Sequence, residues 1–143
     1  MSSTDSAKRW GLHTARALRV RARELGASEY LIKDFLPVRS TALLVGDSHQ
    51  RIEKLLIEEQ PQADLLKVGH HGSLTSSSPE FLAAVHPQFA VVSVGFYNPF
   101  RHPRPEVMER YAESHIITYR TDLAGAVTFY LNGKSVTARP TPR

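Results

Sequence analysis

Residues 63–82, with the sequence ADLLKVGHHGSLTSSSPEFL, decide the fold of this chain. The apolar run 63–69 predicts a strand, and the polar stretch from His70 to Ser78 predicts a loop. Ser78 followed by Pro79 is typical of a helix start, because serine caps the first turn and proline fits the first helical position. We therefore expect a strand, a loop and a helix to about His86, in this order.

The same alternation continues upstream and downstream of this stretch. Before it, TALLVG (41–46) predicts a strand, and Asp47 and Ser48 predict the cap of a helix through Glu59. After it, the sequence predicts a buried strand at 89–94, a proline-rich loop at 98–105, a helix ending near Glu113 and a strand at 116–119. Strands in alternation with helices predict an α/β fold with a largely parallel sheet.

The C-terminal part predicts an antiparallel hairpin. The segments 126–131 and 135–138 flank Asn132-Gly133, which is a strong signal for a two-residue turn. We expect these two strands to edge the parallel sheet and so to make it a mixed sheet flanked by helices. Residues 139–143, with two prolines, are expected to be a frayed tail.

Composition excludes several classes of protein. The 143 residues include no Cys, which rules out disulfides, a thiolate nucleophile and Cys-ligated metal sites. A hydrophobic content of 41% is that of a globular domain rather than a disordered chain. No apolar stretch is long enough for a membrane span, and no signal peptide is evident, so we expect a cytoplasmic protein.

The net charge of +4 is concentrated at the N-terminus. Residues 1–24 carry six Lys and Arg against two acidic residues, and from residue 25 onward the charges balance. A helix over about residues 6–25 is predicted, with Leu12, Leu18 and Leu25 on an apolar stripe. Its arginines are either a patch for phosphates or acidic lipid, or a solvated surface, and the second interpretation is the commoner one.

Ionisable and polar residues follow three of the predicted strands. Asp47 comes after the first strand, His70 and His71 after the second, and Asn98 and His102 after the third. The carboxyl ends of parallel strands meet at one edge of a sheet, and carboxylate oxygen and imidazole nitrogen are ligands for zinc or manganese. This pattern predicts a metal site.

Each of these residues also has a structural interpretation. Asp47 could be a helix cap, and His102 could be an ordinary loop histidine. The remaining histidines have no evident partner and are expected to be surface or packing residues: His13, His49, His86 and His115. The hydroxyl groups of Ser73 and residues 75–78 fit capping and turn hydrogen bonds better than a serine nucleophile, because no G-x-S-x-G motif is present.

Five blocks of the sequence resemble a known family. They are LLVGD (43–47), ADLLKVGHHGSLTSSSPEFL (63–82), PQFAVVSVG (87–95), NPFRHPRPEV (98–107) and YRTDLAGAVTF (119–129). Together they resemble the second half of a metallo-β-lactamase-fold hydrolase domain, closest to the C-terminal domain of the competence protein ComEC. The resemblance implies half of an αββα sandwich over residues 41–138. Residues 1–40 do not share the resemblance, and we expect them to be a basic helical leader.

The same resemblance implies roles for individual residues. Asp47 would bridge metal ions, and His70 or His71 would be a metal ligand, with zinc or manganese bound weakly. Asp47 and His102 would be catalytic, and Asn98, His102 and Ser73 would bind substrate. Thr121 and Asp122 would lead into the closing hairpin, with Asp122 either supporting the metal site or serving as a turn residue.

The chain departs from this family in one respect. The H-x-H-x-D-H cluster, which supplies most metal ligands in the family, is absent. Two interpretations follow: a metal-dependent phosphodiesterase or nuclease-like hydrolase active in DNA uptake, or a truncated, non-catalytic half-domain that acts in binding or assembly. Nucleic acid is the expected partner. Self-association, or a partner with the missing half, is also expected, since Phe89, Val91 and Val94 would need cover from another element.

Overall fold

The computed structural model describes residues 40–141 and contains a four-stranded parallel sheet. Its strands are β1 (Ala42–Leu44), β2 (Leu65–Lys67), β3 (Phe89–Val92) and β4 (Ile117–Arg120), hydrogen-bonded in chain order. Leu43 pairs with Leu66, and Leu66 pairs with Ala90, so the buried residues of neighbouring strands lie side by side. The predicted alternation of strands and helices around a parallel sheet is confirmed.

Three helices connect these strands. They are α1 (Gln50–Glu58), α2 (Pro79–Val85) and α3 (Pro105–Glu113), and a four-residue helix α4 (Thr121–Ala124) follows β4. As predicted, Ser78 caps α2, with its hydroxyl accepting from the Phe81 N–H, and Pro79 is the first helical residue. The prediction that Asp47 or Ser48 caps α1 is wrong, because the N-cap is His49 and the Ser48 hydroxyl donates to the Val45 carbonyl instead.

The helices α1, α2 and α3 all pack on one face of the parallel sheet. Sheet residues Leu43, Leu66 and Ala90 share a buried cluster with helix residues, among them Leu56, Phe81, Leu82, Val85, Val107 and Tyr111. Most of these side chains are almost completely removed from water, and burial of this kind is the main favourable term in folding. This cluster holds the strands in place and so sets the positions of the loops that follow them.

The other face of the sheet is covered by the C-terminal hairpin. Strands β5 (Ala126–Leu131) and β6 (Val136–Thr141) form a separate two-stranded antiparallel sheet, so the prediction that they edge the parallel sheet is wrong. Phe89 and Leu65 of the sheet pack with Val136, Phe129 and Ala138 of the hairpin. The described part of the protein thus has three layers: helices, parallel sheet and hairpin.

Several further expectations differ from the structure or fall outside it. Leu131 pairs with Val136, which leaves a four-residue loop at 132–135 rather than the predicted two-residue turn. Strand β6 includes Arg139, Pro140 and Thr141, so the prediction of a frayed tail is wrong for these three residues. The basic leader helix lies outside the described residues, and the division into leader and half-domain stays a prediction. The αββα sandwich is not confirmed, since the strands of the second layer are those of the hairpin.

Candidate functional site: a histidine-rich rim

The loops that follow β1, β2 and β3 bring the predicted polar residues together at the carboxyl edge of the sheet. The His71 Nε2 lies 3.7 Å from Asp47 Oδ1, and the rings of His70 and His102 are 5.7 Å apart. We call this group the rim and define it as Asp47, His49, His70, His71 and His102. Parallel strands of similar register place their ends at one level, which is why loops distant in sequence meet here.

Asp47 has an exposed carboxylate with no capping role. It lies in the turn between β1 and α1, and its side chain is 63% exposed beside His71. Lys67 at the end of β2 also interacts electrostatically with Asp47, although burial lowers the pKa of Lys67 overall. The Asp47 carboxylate is therefore available to a ligand from solvent.

The orientation of His71 is set by a hydrogen bond to the neighbouring loop. Its Nδ1 lies 2.6 Å from the carbonyl oxygen of Ser93, which can only accept, so Nδ1 carries the proton. In the neutral ring, Nε2 then carries the lone pair, and this is the nitrogen that faces Asp47. A histidine whose second nitrogen donates to a carbonyl has its tautomer and orientation fixed for binding a cation.

Both adjacent histidines adopt left-handed backbone conformations. The φ angles of His70 and His71 are 45° and 55°, within a single turn at Gly69–Gly72. Such conformations are uncommon for residues other than glycine and cost of order 1–3 kcal/mol each. Gly72, at φ 84°, continues the turn, and a Cβ there would lie 2.5 Å from the Cβ of Pro103. The turn and the loop of His102 are thus packed closely against each other.

His70 packs against two other histidines rather than against Asp47. Its ring centroid is 5.0 Å from that of His49, whose Nδ1 lies 2.9 Å from the Thr75 hydroxyl. The Nδ1 atoms of His70 and His102 are buried without a hydrogen-bond partner. A buried polar atom without a partner is destabilising, so a ligand with a donor or acceptor would be favoured at this point.

His102 has a perturbed acidity. Burial lowers the pKa of His102, and electrostatic repulsion from Arg104 and from the protonated forms of His70 and His71 lowers it further. A negatively charged ligand near the rim would act in the opposite direction and favour its protonated form. His102 can therefore respond to an anion by taking up a proton.

Asn98 shapes the loop that carries His102. Its Nδ2 donates to the His102 carbonyl at 2.6 Å, and its Oδ1 accepts from the His102 N–H at 3.0 Å. Both polar ends of this side chain are used inside the loop, although Asn98 also lines the cavity described next. Its predicted contact with substrate stays a prediction.

A cavity of about 470 Å³ opens beside the rim. His71 and His102 line it together with Asn98, Phe100 and Thr121. The Thr121 hydroxyl accepts from the Val94 N–H and lies 2.8 Å from the Val94 carbonyl oxygen, so it holds the end of the β3 segment. Asp122 forms a two-pronged ion pair with the Arg120 guanidinium, with a shortest distance of 2.6 Å.

Ser73 is not among the residues that line the cavity. It is buried, and its hydroxyl lies 3.1 Å from the Thr75 hydroxyl. The following serines hold the loop by hydrogen bonds: the Ser76 hydroxyl donates to the Gly69 carbonyl at 2.8 Å, and Ser78 caps α2. These contacts agree with the capping and turn roles expected for this run.

A buried carboxylate also holds the loop between β2 and α2. Glu53 of α1 is fully buried, and its two oxygens accept from the N–H groups of Ser77 and Ser78. Burial raises the pKa of Glu53, although the two N–H donors and Arg110 oppose this effect. The Tyr111 hydroxyl contacts the Ser77 hydroxyl at 2.9 Å, and burial raises the pKa of Tyr111 as well. Sequence reasoning did not identify Glu53, because nothing local marks it as buried.

His49 is the rim residue that the sequence analysis missed. The expectation that His49 has no partner is wrong, since its ring contacts His70 and its Nδ1 contacts Thr75. Its position two residues after Asp47, beyond the same strand, was a usable signal. His86 and His115 do lie apart from the rim, at the ends of α2 and α3, both with positive φ. His13 lies outside the described residues.

The rim offers a metal ion few protein ligands. Within residues 40–141, no three His, Asp or Glu side chains come close enough together to hold a metal ion. The Asp47–His71 pair supplies two donors of suitable chemistry, one carboxylate oxygen and one neutral imidazole nitrogen. A cation held by these two residues alone would keep most of its coordination positions for water or for a ligand.

The fold and the rim together define an α/β protein with histidine and carboxylate groups gathered beside an open cavity. Comparison with known proteins then finds similar bacterial proteins, one of which is named a competence protein. The chain is 40% identical over 100 residues to Competence protein ComA of Neisseria gonorrhoeae. The matched region covers 68% of this chain and 14% of that protein. It is 36% identical over 89 residues to Recombination protein 2 of Haemophilus influenzae and 35% identical over 89 residues to ComE operon protein 3 of Bacillus subtilis.

These matches cover 62% and 61% of this chain, and 11% and 12% of the two relatives. The chain therefore spans only about one seventh or less of the length of the curated relatives that it matches. No family model matches the chain. The prediction of a metallo-β-lactamase-fold domain, closest to that of ComEC, is therefore wrong on these findings. The relatives carry the names ComA, Recombination protein 2 and ComE operon protein 3, and no family model supports a metallo-β-lactamase domain.

Among residues 40–141, no helix has the length and apolar character needed to cross a membrane. A cytoplasmic location stays a prediction.

Proposed function

We propose that this chain is a DNA-binding part of a bacterial competence system, in which the rim holds the phosphate backbone of DNA. The observation that carries the proposal is the convergence of Asp47, His71 and His102 beside one open cavity. The names of the relatives supply the biological setting, since one of them is called a competence protein. The identities of 35–40% support the extension of that setting to this chain.

Imidazole groups suit a phosphate ligand. An imidazole with a free N–H can donate a hydrogen bond to a phosphate oxygen, and a hydrogen bond with a charged partner is about twice as strong as one between neutral groups. The lowered pKa of His102 favours its neutral form, and a bound anion would act in the opposite direction and favour its protonated form. Bound phosphate would also give the partnerless Nδ1 of His70 or His102 access to an acceptor.

The exposed carboxylate of Asp47 would repel phosphate unless a cation lies between them. We therefore propose that Asp47 and His71 together hold a divalent cation, zinc or manganese, that also contacts the DNA. The Ser93 carbonyl supports this role, because it fixes His71 with its Nε2 toward Asp47. Two protein ligands predict weak binding, in contrast to closed four-ligand sites.

Metal-dependent hydrolysis of phosphodiesters is a second candidate, favoured by the fixed orientation of His71 beside an exposed carboxylate. A divalent metal, when bound, lowers the pKa of a coordinated water to about 7. His102 lies at the cavity wall, where it could donate a proton to a leaving oxygen. With only two ligands from the described residues, we expect negligible turnover by the lone chain unless a second copy or a partner protein supplies the others.

Calorimetric titration with zinc and with manganese tests the cation site. We expect Asp47→Asn and His71→Asn to weaken binding at least tenfold, because each removes one of two ligands. Asparagine tolerates the positive φ of His71, so this variant keeps the turn. His86→Asn is the matched control, since His86 also has positive φ but lies at the end of α2. Unchanged affinity in the Asp47→Asn, His71→Asn double variant would refute the site.

Binding of a labelled DNA strand, with and without manganese, tests the function itself. We expect manganese to increase the DNA affinity of the wild type and of the His86→Asn variant, but not the DNA affinity of the Asp47→Asn variant. A phosphodiester substrate in the same solutions separates the two candidates. Robust metal-dependent cleavage that Asp47→Asn abolishes would favour the hydrolase, and binding without cleavage would favour the binding module.

A further inference from the structure

We propose that the loop between β3 and α3 stacks on unpaired bases, so that the protein prefers single-stranded over double-stranded DNA. This inference rests on the proposed DNA-binding function and adds the form of DNA that the protein recognises. The residues that would make the contact are Phe96, Tyr97 and Phe100, which we call the aromatic loop.

The aromatic loop presents large rings to water. Phe96, Tyr97 and Phe100 are 60%, 92% and 73% exposed. Single exposed apolar side chains are common on proteins, but three aromatic rings within five residues form a local patch, and such patches mark interaction sites. The patch is also next to the proposed phosphate site, because Phe100 lines the cavity with His71 and His102.

The charged residues near the three rings suit the binding of nucleic acid. Residues 93–104 include two arginines, Arg101 and Arg104, and no carboxylate. Arg101 is exposed, next to Phe100. Proteins that bind single strands combine basic groups for the backbone with aromatic rings for the bases, and Arg can itself stack on a base.

The geometry presents the rings in a defined arrangement. The Phe100 ring lies near-parallel to the His102 ring, with 6.2 Å between centroids, and the Phe96 and Tyr97 rings meet edge to face at 4.9 Å. The two hydrogen bonds of Asn98 to the His102 backbone close the loop between these pairs. A loop closed in this way loses less conformational entropy when a ligand binds.

Base stacking requires single strands. In a duplex the faces of the bases are covered by their neighbours, whereas a single strand can turn its bases onto protein rings. A base stacked on Phe100 would leave its phosphate beside the cavity that His71 and His102 line. The aromatic loop and the rim would then bind one strand together, the loop through bases and the rim through phosphates.

Fluorescence anisotropy with the full chain tests this inference. The probes are a 20-nucleotide thymidine strand, a strand of equal length without bases, and a 20-base-pair duplex. We expect Tyr97→Ala and Phe100→Ala each to weaken binding to the thymidine strand about tenfold, with little change for the other two probes. Tyr130→Ala is the control, because it removes another exposed aromatic ring, on β5. Phe100→Tyr should restore binding, since it keeps the ring.

The outcomes of this experiment separate the inference from the proposed function. Equal weakening for all three probes, or no weakening for any of them, would overturn base stacking. In that case, loss of binding in Asp47→Asn or His71→Asn would leave the proposed function intact. Failure of the wild type to bind any of the probes would overturn both. A dimer that dissociates in Tyr97→Ala, with DNA binding unchanged, would show that a second protein chain occupies the loop and would also overturn the inference.

Discussion

Three consecutive residues, His70, His71 and Gly72, have positive φ angles and make the turn on which the rim depends. In this turn the His71 side chain faces Asp47 and the His70 side chain faces His49, so two adjacent residues contact different parts of the rim. Strain of this kind persists only where the surroundings hold it. Here the Gly72 carbonyl accepts from the Arg104 N–H at 2.9 Å, and Pro103 packs against Gly72.

Substitution of Gly72 by alanine tests this packing. A Cβ at Gly72 would overlap Pro103, at 2.5 Å from its Cβ, in a backbone conformation that alanine disfavours. We expect Gly72→Ala to lower the free energy of unfolding by about 2–4 kcal/mol, as for other overpacked and strained positions. Gly95→Ala is the control, because a Cβ added at Gly95 would meet no atom within 4 Å. Similar stability of the two variants by urea denaturation would contradict this account.

At the scale of elements, α1 supports the loop between β2 and α2 through Glu53. This loop carries the serine run and follows the turn of the adjacent histidines. Arg110 of α3 donates to the Ser76 carbonyl at 3.0 Å, so a second helix holds the same segment. The loop is therefore fixed by polar contacts to two helices, although it has little regular structure of its own.

Loss of the Glu53 carboxylate is expected to destabilise the protein. Glu53→Ala would leave the N–H groups of Ser77 and Ser78 buried without acceptors. We expect a loss of about 2–5 kcal/mol in the free energy of unfolding, because each unsatisfied donor costs about 1–3 kcal/mol. Lys54→Ala, at an exposed position on the same helix, should change stability by less than about 0.5 kcal/mol. A loss for Glu53→Ala as small as that of the control would exclude a supporting role.

The pH dependence of stability gives a second test of Glu53. Burial raises its pKa in the folded protein above the usual 4.5, so the unfolded chain loses this proton at lower pH than the folded chain. The stability that Glu53 contributes is fully present below pH 4.5 and is lost as the pH rises through the folded pKa. Glu53→Gln cannot titrate. The stability of the wild type relative to Glu53→Gln should therefore fall as the pH rises from 4.5, and an opposite trend in pH-resolved urea denaturation would be inconsistent with a raised pKa.

At the scale of the whole molecule, the hairpin completes the fold by covering the face of the sheet opposite the helices. Phe129 meets Phe89 and Tyr119, with centroid distances of 6.3 and 5.8 Å. The Gly133 N–H donates to the Ser40 hydroxyl at 2.8 Å, which ties the hairpin loop to the start of β1. Phe89 and Val91, which were expected to need cover from another element, lie in one cluster with hairpin residues. Val94 packs with the helical face instead.

Truncation of Phe129 tests the contribution of the hairpin. We expect Phe129→Ala to lower the free energy of unfolding by about 2–3 kcal/mol, below the value for a fully buried Phe because this ring is only half-buried. Tyr130→Ala, the next residue on the exposed face of β5, should have an effect of less than about 0.5 kcal/mol. If the two variants unfold at the same urea concentration, the hairpin does not stabilise the sheet through this contact.

Local sequence was enough to predict the helices and strands and the polar residues that lie at the ends of the strands. Apolar runs, Ser78-Pro79 and the alternation of strands and helices are short-range signals, and the parallel order follows from that alternation. The placement of Asp47, the adjacent histidines and His102 at one edge follows in the same way.

Packing between distant segments settled the rest. It brought His49 into the rim, turned His71 rather than His70 toward Asp47, buried Glu53 and laid the hairpin on a sheet face instead of a sheet edge. These outcomes depend on contacts between residues far apart in the chain, such as the 22-residue separation of His71 and Ser93. A local sequence pattern does not predict such contacts. Backbone rotation at a turn, and the sheet face on which a hairpin packs, depend on the residues that the folded chain brings into contact there.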